Sequence, residues 1–154
     1  MLPRAARVWL LLSLAAPAAH AAARPYWNAQ YGDPQQASLG IGLLFPRVRG
    51  DDFQIASRAA LVELRPGTGG GALHVGFAPL ALKSRAFAFG GVALKGTLLR
   101  TWGSPGAGLA AGSTYAGAEL HLAWIVKGSV GVLWRVGGAA GRSSVVTWGV
   151  GLGL

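Results

Sequence analysis

The chain contains no cysteine, only five acidic residues among 154, and a total charged share of 12%. Without cysteine there is no disulfide framework, no thiolate metal ligand and no sulfur to carry a lipid anchor. The charged share is about half that of an ordinary soluble domain. Long apolar runs are missing as well: beyond the first 21 residues no stretch approaches the ~20 residues of a spanning helix. The usual catalytic signatures are absent, with no Walker loop, no H-E-x-x-H and no G-x-S-x-G. Gly67-Thr68-Gly69-Gly70-Gly71-Ala72 does match G-x-G-x-x-A, but the strand-like ALHVGF follows it where a dinucleotide site needs a helix, so it reads as a hairpin loop. What remains is an apolar, glycine-rich chain, 52% hydrophobic with 25 glycines.

The first 21 residues read as a leader rather than as fold. Arg4 and Arg7 form a basic start, residues 8–16 (VWLLLSLAA) a short apolar core, and Ala19-His20-Ala21 a small-x-small cleavage site. The expected division is a signal peptide over 1–21, with Ala23 as the alternative cut, and a single domain over 22–154. Removing Arg4 and Arg7 from fourteen basic residues leaves twelve against five acidic ones, about +7. These cations are scattered and form no stripe interleaved with aromatics, which together with export argues against a nucleic-acid partner. Two readings of the scattered charge stand open: contact with anionic membrane lipid or lipopolysaccharide phosphates, and simple solvation of loops.

The rest of the chain alternates. From residue 115 onward the even positions are apolar: Leu120, Leu122, Trp124 and Val126, then Val130, Val132, Trp134 and Val136, then Val146, Trp148, Val150, Leu152 and Leu154. The odd positions hold Gly117, Glu119, His121, Gly131, Arg135, Thr147 and Gly149. Strand side chains point alternately to opposite faces, so each run is a strand with one greasy face and one small or polar face. Upstream, the same pattern covers residues 37–45, 57–65 and 73–77, and a long run over 86–102 whose apolar parity switches at Gly90-Gly91, where a bulge is expected. Turn chemistry falls at Asp33-Pro34-Gln35-Gln36, residues 66–71, Lys83-Ser84-Arg85, residues 103–113 and Lys127-Gly128-Ser129, with a polar loop over 47–54. Counting the aromatic run 25–32 gives eight strands. The fold expected is all-β: an antiparallel up-and-down transmembrane β-barrel.

A three-residue turn at 127–129 would set Val126 opposite Val130, Trp124 opposite Val132 and His121 opposite Arg135, with Glu119 diagonal to Arg135. The apolar face is expected outward, because the other face is glycine-rich and would make a poor soluble surface but a fitting interior for a narrow barrel. Glu63, Arg65, Lys95, Glu119, His121 and Arg135 are then expected as a polar network plugging the lumen. Trp27, Trp102, Trp124 and Trp134 fall near strand ends, as interfacial aromatics do, whereas Trp148 falls mid-strand.

With this pattern, the leader and the ending VTWGVGLGL (residues 146–154), the chain resembles the small bacterial outer-membrane β-barrels of the OmpA/OmpX-like group. The resemblance implies location in the bacterial outer membrane, lipid as the surrounding partner, and an assembly machinery that reads the C-terminus. Such barrels usually end in an aromatic, and here Leu154 stands in its place.

No catalytic, cofactor or metal site is assigned from the residues. Glu119 and His121 share a face and could form an acid–base pair, but a structural network with Arg135 weighs more. His74 and His121 alone are too few for a metal site without a carboxylate in place. Asp51-Asp52 reads as a solvated loop. The function expected is that of a non-enzymatic barrel with a structural or surface-interaction role. A lipid-modifying enzyme and a secreted lipocalin-like barrel around an apolar ligand are the alternatives.

Overall fold

Period-two alternation is realised as strand throughout the computed structural model, which describes residues 23–46, 55–56, 58–82, 90–124, 126–138 and 141–153. The strands are β1 (Arg24–Asp33), β2 (Gln36–Pro46), β3 (Ile55–Ala56), β4 (Ala59–Pro66), β5 (Gly70–Leu82), β6 (Gly90–Thr101), β7 (Ser113–Ala123), β8 (Val126–Gly138) and β9 (Ser144–Gly153). Among the described residues there is no helix long and apolar enough to cross a membrane. The leader, the loop at 47–54, Lys83-Ser84-Arg85 and Leu154 lie outside the described residues, as does the start of the run at 86.

Every pairing is antiparallel. The order is β3-β5-β4-β2-β1-β9-β8-β7-β6, and β5 also pairs with β6, which closes the sheet on itself. β3 and β4 run along β5 in one register, Ile55 opposite Leu82 and Ala59 opposite Ala78, so they are two pieces of one stave. The result is a closed, eight-stave, up-and-down barrel, as the alternation predicts. The aromatic run at the start supplies the stave that makes the number even: β1 joins β2 on one side and β9 on the other.

The register departs from expectation in two places. β7 and β8 pair with Ala123 opposite Lys127, His121 opposite Ser129 and Ala118 opposite Val132. β7 therefore ends at Ala123 and β8 begins at Val126, and Lys127, Gly128 and Ser129 belong to the strand. Face assignment survives because the slip is even, but every cross-strand partner changes. Lys127 turns inward, with its ammonium 5.4 Å from the centre of the Tyr26 ring, a cation–π contact that favours this placement over an exposed turn. The second departure is the bulge. The β5–β6 ladder is irregular between Phe77 and Leu80, on the strand facing Gly90-Gly91 rather than at the glycines. Pro79 falls in that gap and has no N–H to give the ladder.

The end of the barrel opposite the termini is tied together by backbone hydrogen bonds between loops. Thr68 N donates to Ala37 O (2.9 Å), Gly69 N to Gln35 O (3.0 Å) and Gly106 N to Pro34 O (2.9 Å).

Inside and outside are sharply different. Leu39, Ile41, Val75, Leu94, Leu122 and Val150 are among the many large apolar side chains exposed on the outer face. The lumen is layered. Near the termini Leu44, Leu61, Ala78 and Ala93 pack into one buried apolar cluster. At the other end Leu99, Tyr115, Leu133 and Val145 form a second, into which Leu109 descends from the connection between β6 and β7. The inward leucines and Tyr115 were not separated from the small-or-polar parity by sequence reading. Between the two apolar clusters lies a polar layer.

Large lumen side chains stand opposite glycines. Glu63 pairs with Gly42, Lys95 with Gly76, Glu119 with Gly131 and Leu133 with Gly117. A narrow barrel has room only for side chains, and these alternations of large and absent fill it. At Gly131 the fit is tight: a β-carbon there would lie 2.5 Å from Glu119 Cγ.

Candidate functional site in the barrel lumen

The polar layer divides into two clusters, each built on one carboxylate. Glu63, on β4, is fully buried and accepts hydrogen bonds on both oxygens. Oε1 accepts from Arg65 Nη2 (2.6 Å), Arg65 Nε (2.8 Å) and Asn28 Nδ2 (3.1 Å). Oε2 accepts from Lys95 Nζ (2.6 Å) and the Tyr26 hydroxyl (2.8 Å). Two cations and two neutral donors on β1, β4 and β6 thus converge on one anion. Desolvating a carboxylate is costly, and only a shell this complete offsets it.

The second carboxylate is Glu119 on β7. Thr147 donates its hydroxyl to Oε1 (3.1 Å) from β9. Oε2 faces two imidazoles, His121 Nε2 at 3.0 Å and His74 Nδ1 at 3.8 Å. His74 comes from β5, and its Nδ1 is 2.9 Å from the Thr97 hydroxyl. The two rings meet edge to face with centroids 5.8 Å apart. One donor atom from each of His74, Glu119 and His121 lies within 4.8 Å of the others, and all three residues are buried.

Of the residues expected in the network, Glu63, Arg65 and Lys95 come together around Glu63, while Glu119 and His121 form the second cluster. Arg135 does not stand beside Glu119 as expected. Its ladder partner is Tyr115, four residues along the strand from the Glu119–Gly131 pair, about 13 Å at the usual rise. The corrected turn carries it there, toward the loop end, where its backbone N donates to Ser143 O. Sequence reasoning missed Tyr26, Asn28, Thr97 and Thr147, and did not bring His74 to Glu119. Inward parity was the available signal for all five. Their convergence depends on the stagger between staves, which parity does not carry.

The four expected interfacial tryptophans are exposed on the outer face. Trp27 and Trp124 lie toward the termini; Trp102 and Trp134 lie toward the other end. Trp148, mid-strand by sequence, is level with the end of β1: its ladder partner is Asp33, and its indole N–H donates to Asp33 Oδ2 (3.3 Å). On β8 it pairs with Val130, four residues from Trp134, so it remains mid-strand on β9 while lying beside the end of β1.

Comparison of the chain with protein-family models, curated proteins and solved structures found no match.

Proposed function

We propose that this chain is a small outer-membrane β-barrel of a Gram-negative bacterium, with a plugged lumen and a structural or surface-interaction role. One observation carries the reading: the barrel is apolar outside and ion-paired inside. A soluble barrel needs the reverse, and a lipocalin-like barrel would turn its greasy face inward around the ligand. Here the inward face holds Glu63, Arg65, Lys95 and Glu119, while leucines, valines and tryptophans are exposed around the outside. An exposed apolar surface of this extent calls for a covering medium, and a closed barrel leaves no unpaired strand edge for lipid to meet. Tryptophans toward both ends support lipid as that medium. The excess of basic residues supports contact with anionic headgroups or lipopolysaccharide phosphates. On this reading the leader directs export, and the barrel assembly machinery inserts the chain.

Membrane fractionation with heat-modifiable gel mobility tests it. The expected result is recovery with the outer membrane and faster migration unboiled than boiled; recovery in the soluble periplasmic fraction without detergent would overturn it.

A second reading, a lipid-modifying enzyme, is favoured by the 3.0 Å contact between His121 and Glu119, the geometry of a base with its orienting carboxylate. Both groups are buried in the lumen, and Thr147 directs its hydroxyl to the carboxylate rather than to the imidazole. His121→Ala separates the readings: an altered lipid A profile supports the enzyme, and an unchanged one supports the structural barrel.

A further inference from the structure

The Glu119 cluster has donor capacity that its hydrogen bonds leave unused. With Oε1 held by Thr147, Oε2 points at two imidazoles and at no ammonium or guanidinium within ion-pair distance among the described residues. Lys95 stands opposite Glu119 in the ladder, yet its Nζ is drawn to Glu63. His74 is fully buried, and while its Nδ1 meets Thr97, its Nε2 has no hydrogen-bond partner. The nitrogen that faces Glu119 is Nδ1, whose contact with Thr97 an ion would replace.

We propose that His74, His121 and Glu119 form a lumen site for one divalent transition-metal ion of the zinc type. Two imidazoles and one carboxylate are a zinc donor set, whereas magnesium and calcium take oxygen ligands. Zinc binds nitrogen and oxygen at roughly 2.0–2.2 Å, which sets ligand atoms of a tetrahedral site about 3.4 Å apart. The contacts at Oε2, 3.0 and 3.8 Å, bracket that spacing. The widest separation in the triad is within 4.8 Å, and ring rotation about the side-chain bonds brings it in. The outer shell is in place at the carboxylate, which Thr147 fixes through its other oxygen, as partners of metal ligands do. The two carboxylates divide the lumen between them: Glu63 gathers the lysine and arginine, and Glu119 is left between two imidazoles, where a metal ion would supply the opposing charge. The inference rests on the lumen alone and goes beyond the membrane reading.

The test uses the full chain refolded in detergent with Zn²⁺, freed of excess metal, and counted for zinc by mass spectrometry. One ion per chain is expected, against none above the no-protein control for the His74→Gln/His121→Gln double variant. His20 is retained in both and does not contribute to the difference. Refolding with Co²⁺ gives a second readout, a visible ligand-field absorption present in the parent and lost in the double variant. Thr147→Val keeps all three ligands and frees only the carboxylate; it is expected to weaken zinc binding about 10–100-fold. Heat-modifiable mobility establishes that each variant folds. Should the double variant fail to fold, Thr147→Val decides: weakened zinc binding supports the site and unchanged binding overturns it. Parent protein that retains no zinc, or a folded double variant that retains as much as the parent, also overturns it.

Discussion

Glu63 is the residue on which the lumen most depends, because five hydrogen bonds and two cations converge on its carboxylate. Glu63→Gln leaves Arg65 and Lys95 facing an amide in a closed interior. Breaking a buried pair in this way costs about 3–5 kcal/mol, since the stranded charge has no water to return to. The expected outcome is a clear fall in the urea midpoint of the refolded barrel. Arg100→Ala should leave the midpoint where it was, because Arg100 is exposed and its hydrogen bond goes to Thr114 near the rim. The glycines opposite the large side chains give a second expectation at this scale. A β-carbon at Gly131 would sit 2.5 Å from Glu119 Cγ and from the Ala118 carbonyl oxygen. Gly131→Ala should therefore destabilise by about 1–3 kcal/mol through overpacking. At Gly96, on the outer face, the nearest atom to a β-carbon is 3.6 Å away. Gly96→Ala is the matched control and should change stability by less than about 0.5 kcal/mol. Equal effects at the two glycines would show that Gly131 is not in a packed interior.

At the scale of strands, the β7–β8 ladder separates what a sequence carries from what it does not. Parity is local: each residue records its face through its neighbours two positions away, and so Glu63, Lys95, Glu119 and His121 were assigned to one face without knowledge of their partners. Register is not local. Lys127-Gly128-Ser129 has turn composition, while the chain leaves β7 at Trp124, a tryptophan that no turn rule favours. The observed register lets Lys127 reach the Tyr26 ring on β1, a contact 101 residues away in the chain. The His74–Glu119 approach was invisible for the same reason: it spans β5, β6 and β7 and follows from their stagger. Engineered cysteines test the register directly, since the chain has none of its own. Ala118 and Val132 are ladder partners, and opposed β-carbons in a sheet lie about 4.5–5.5 Å apart, near the reach of a disulfide. Ala118→Cys with Val132→Cys should cross-link on mild oxidation and shift mobility on a non-reducing gel. Trp124→Cys with Val132→Cys, the pair that a turn at 127–129 would bring together, should not. Cross-linking of the second pair and not the first would establish the register with a turn at 127–129.

For the molecule as a whole, stability and location are one problem. The polar layer lies between two apolar clusters, and the greasy outer wall needs a covering. If lipid is the covering, neighbouring residues on one strand must report opposite environments. Val132 and Val150 are exposed on the outer wall; Thr147 is buried and bonded to Glu119. Single cysteines at these three positions can be spin-labelled in refolded protein reconstituted into bilayers. Labels at Val132 and Val150 should collide freely with oxygen, which concentrates in hydrocarbon, and be shielded from a water-soluble nickel reagent. A label at Thr147 should be protected from both, provided heat-modifiable mobility shows that the labelled barrel has formed. Val132→Arg extends the test to energy: an arginine facing lipid near the midplane costs about 2–4 kcal/mol and much less near the interface. The penalty should appear in bilayers and vanish in a comparison where the outer wall meets water. Nickel access at Val132 and Val150 equal to that of a loop residue such as Ser104 would mean that the outer wall does not face hydrocarbon. The exposed apolar side chains would then need a protein partner as their cover.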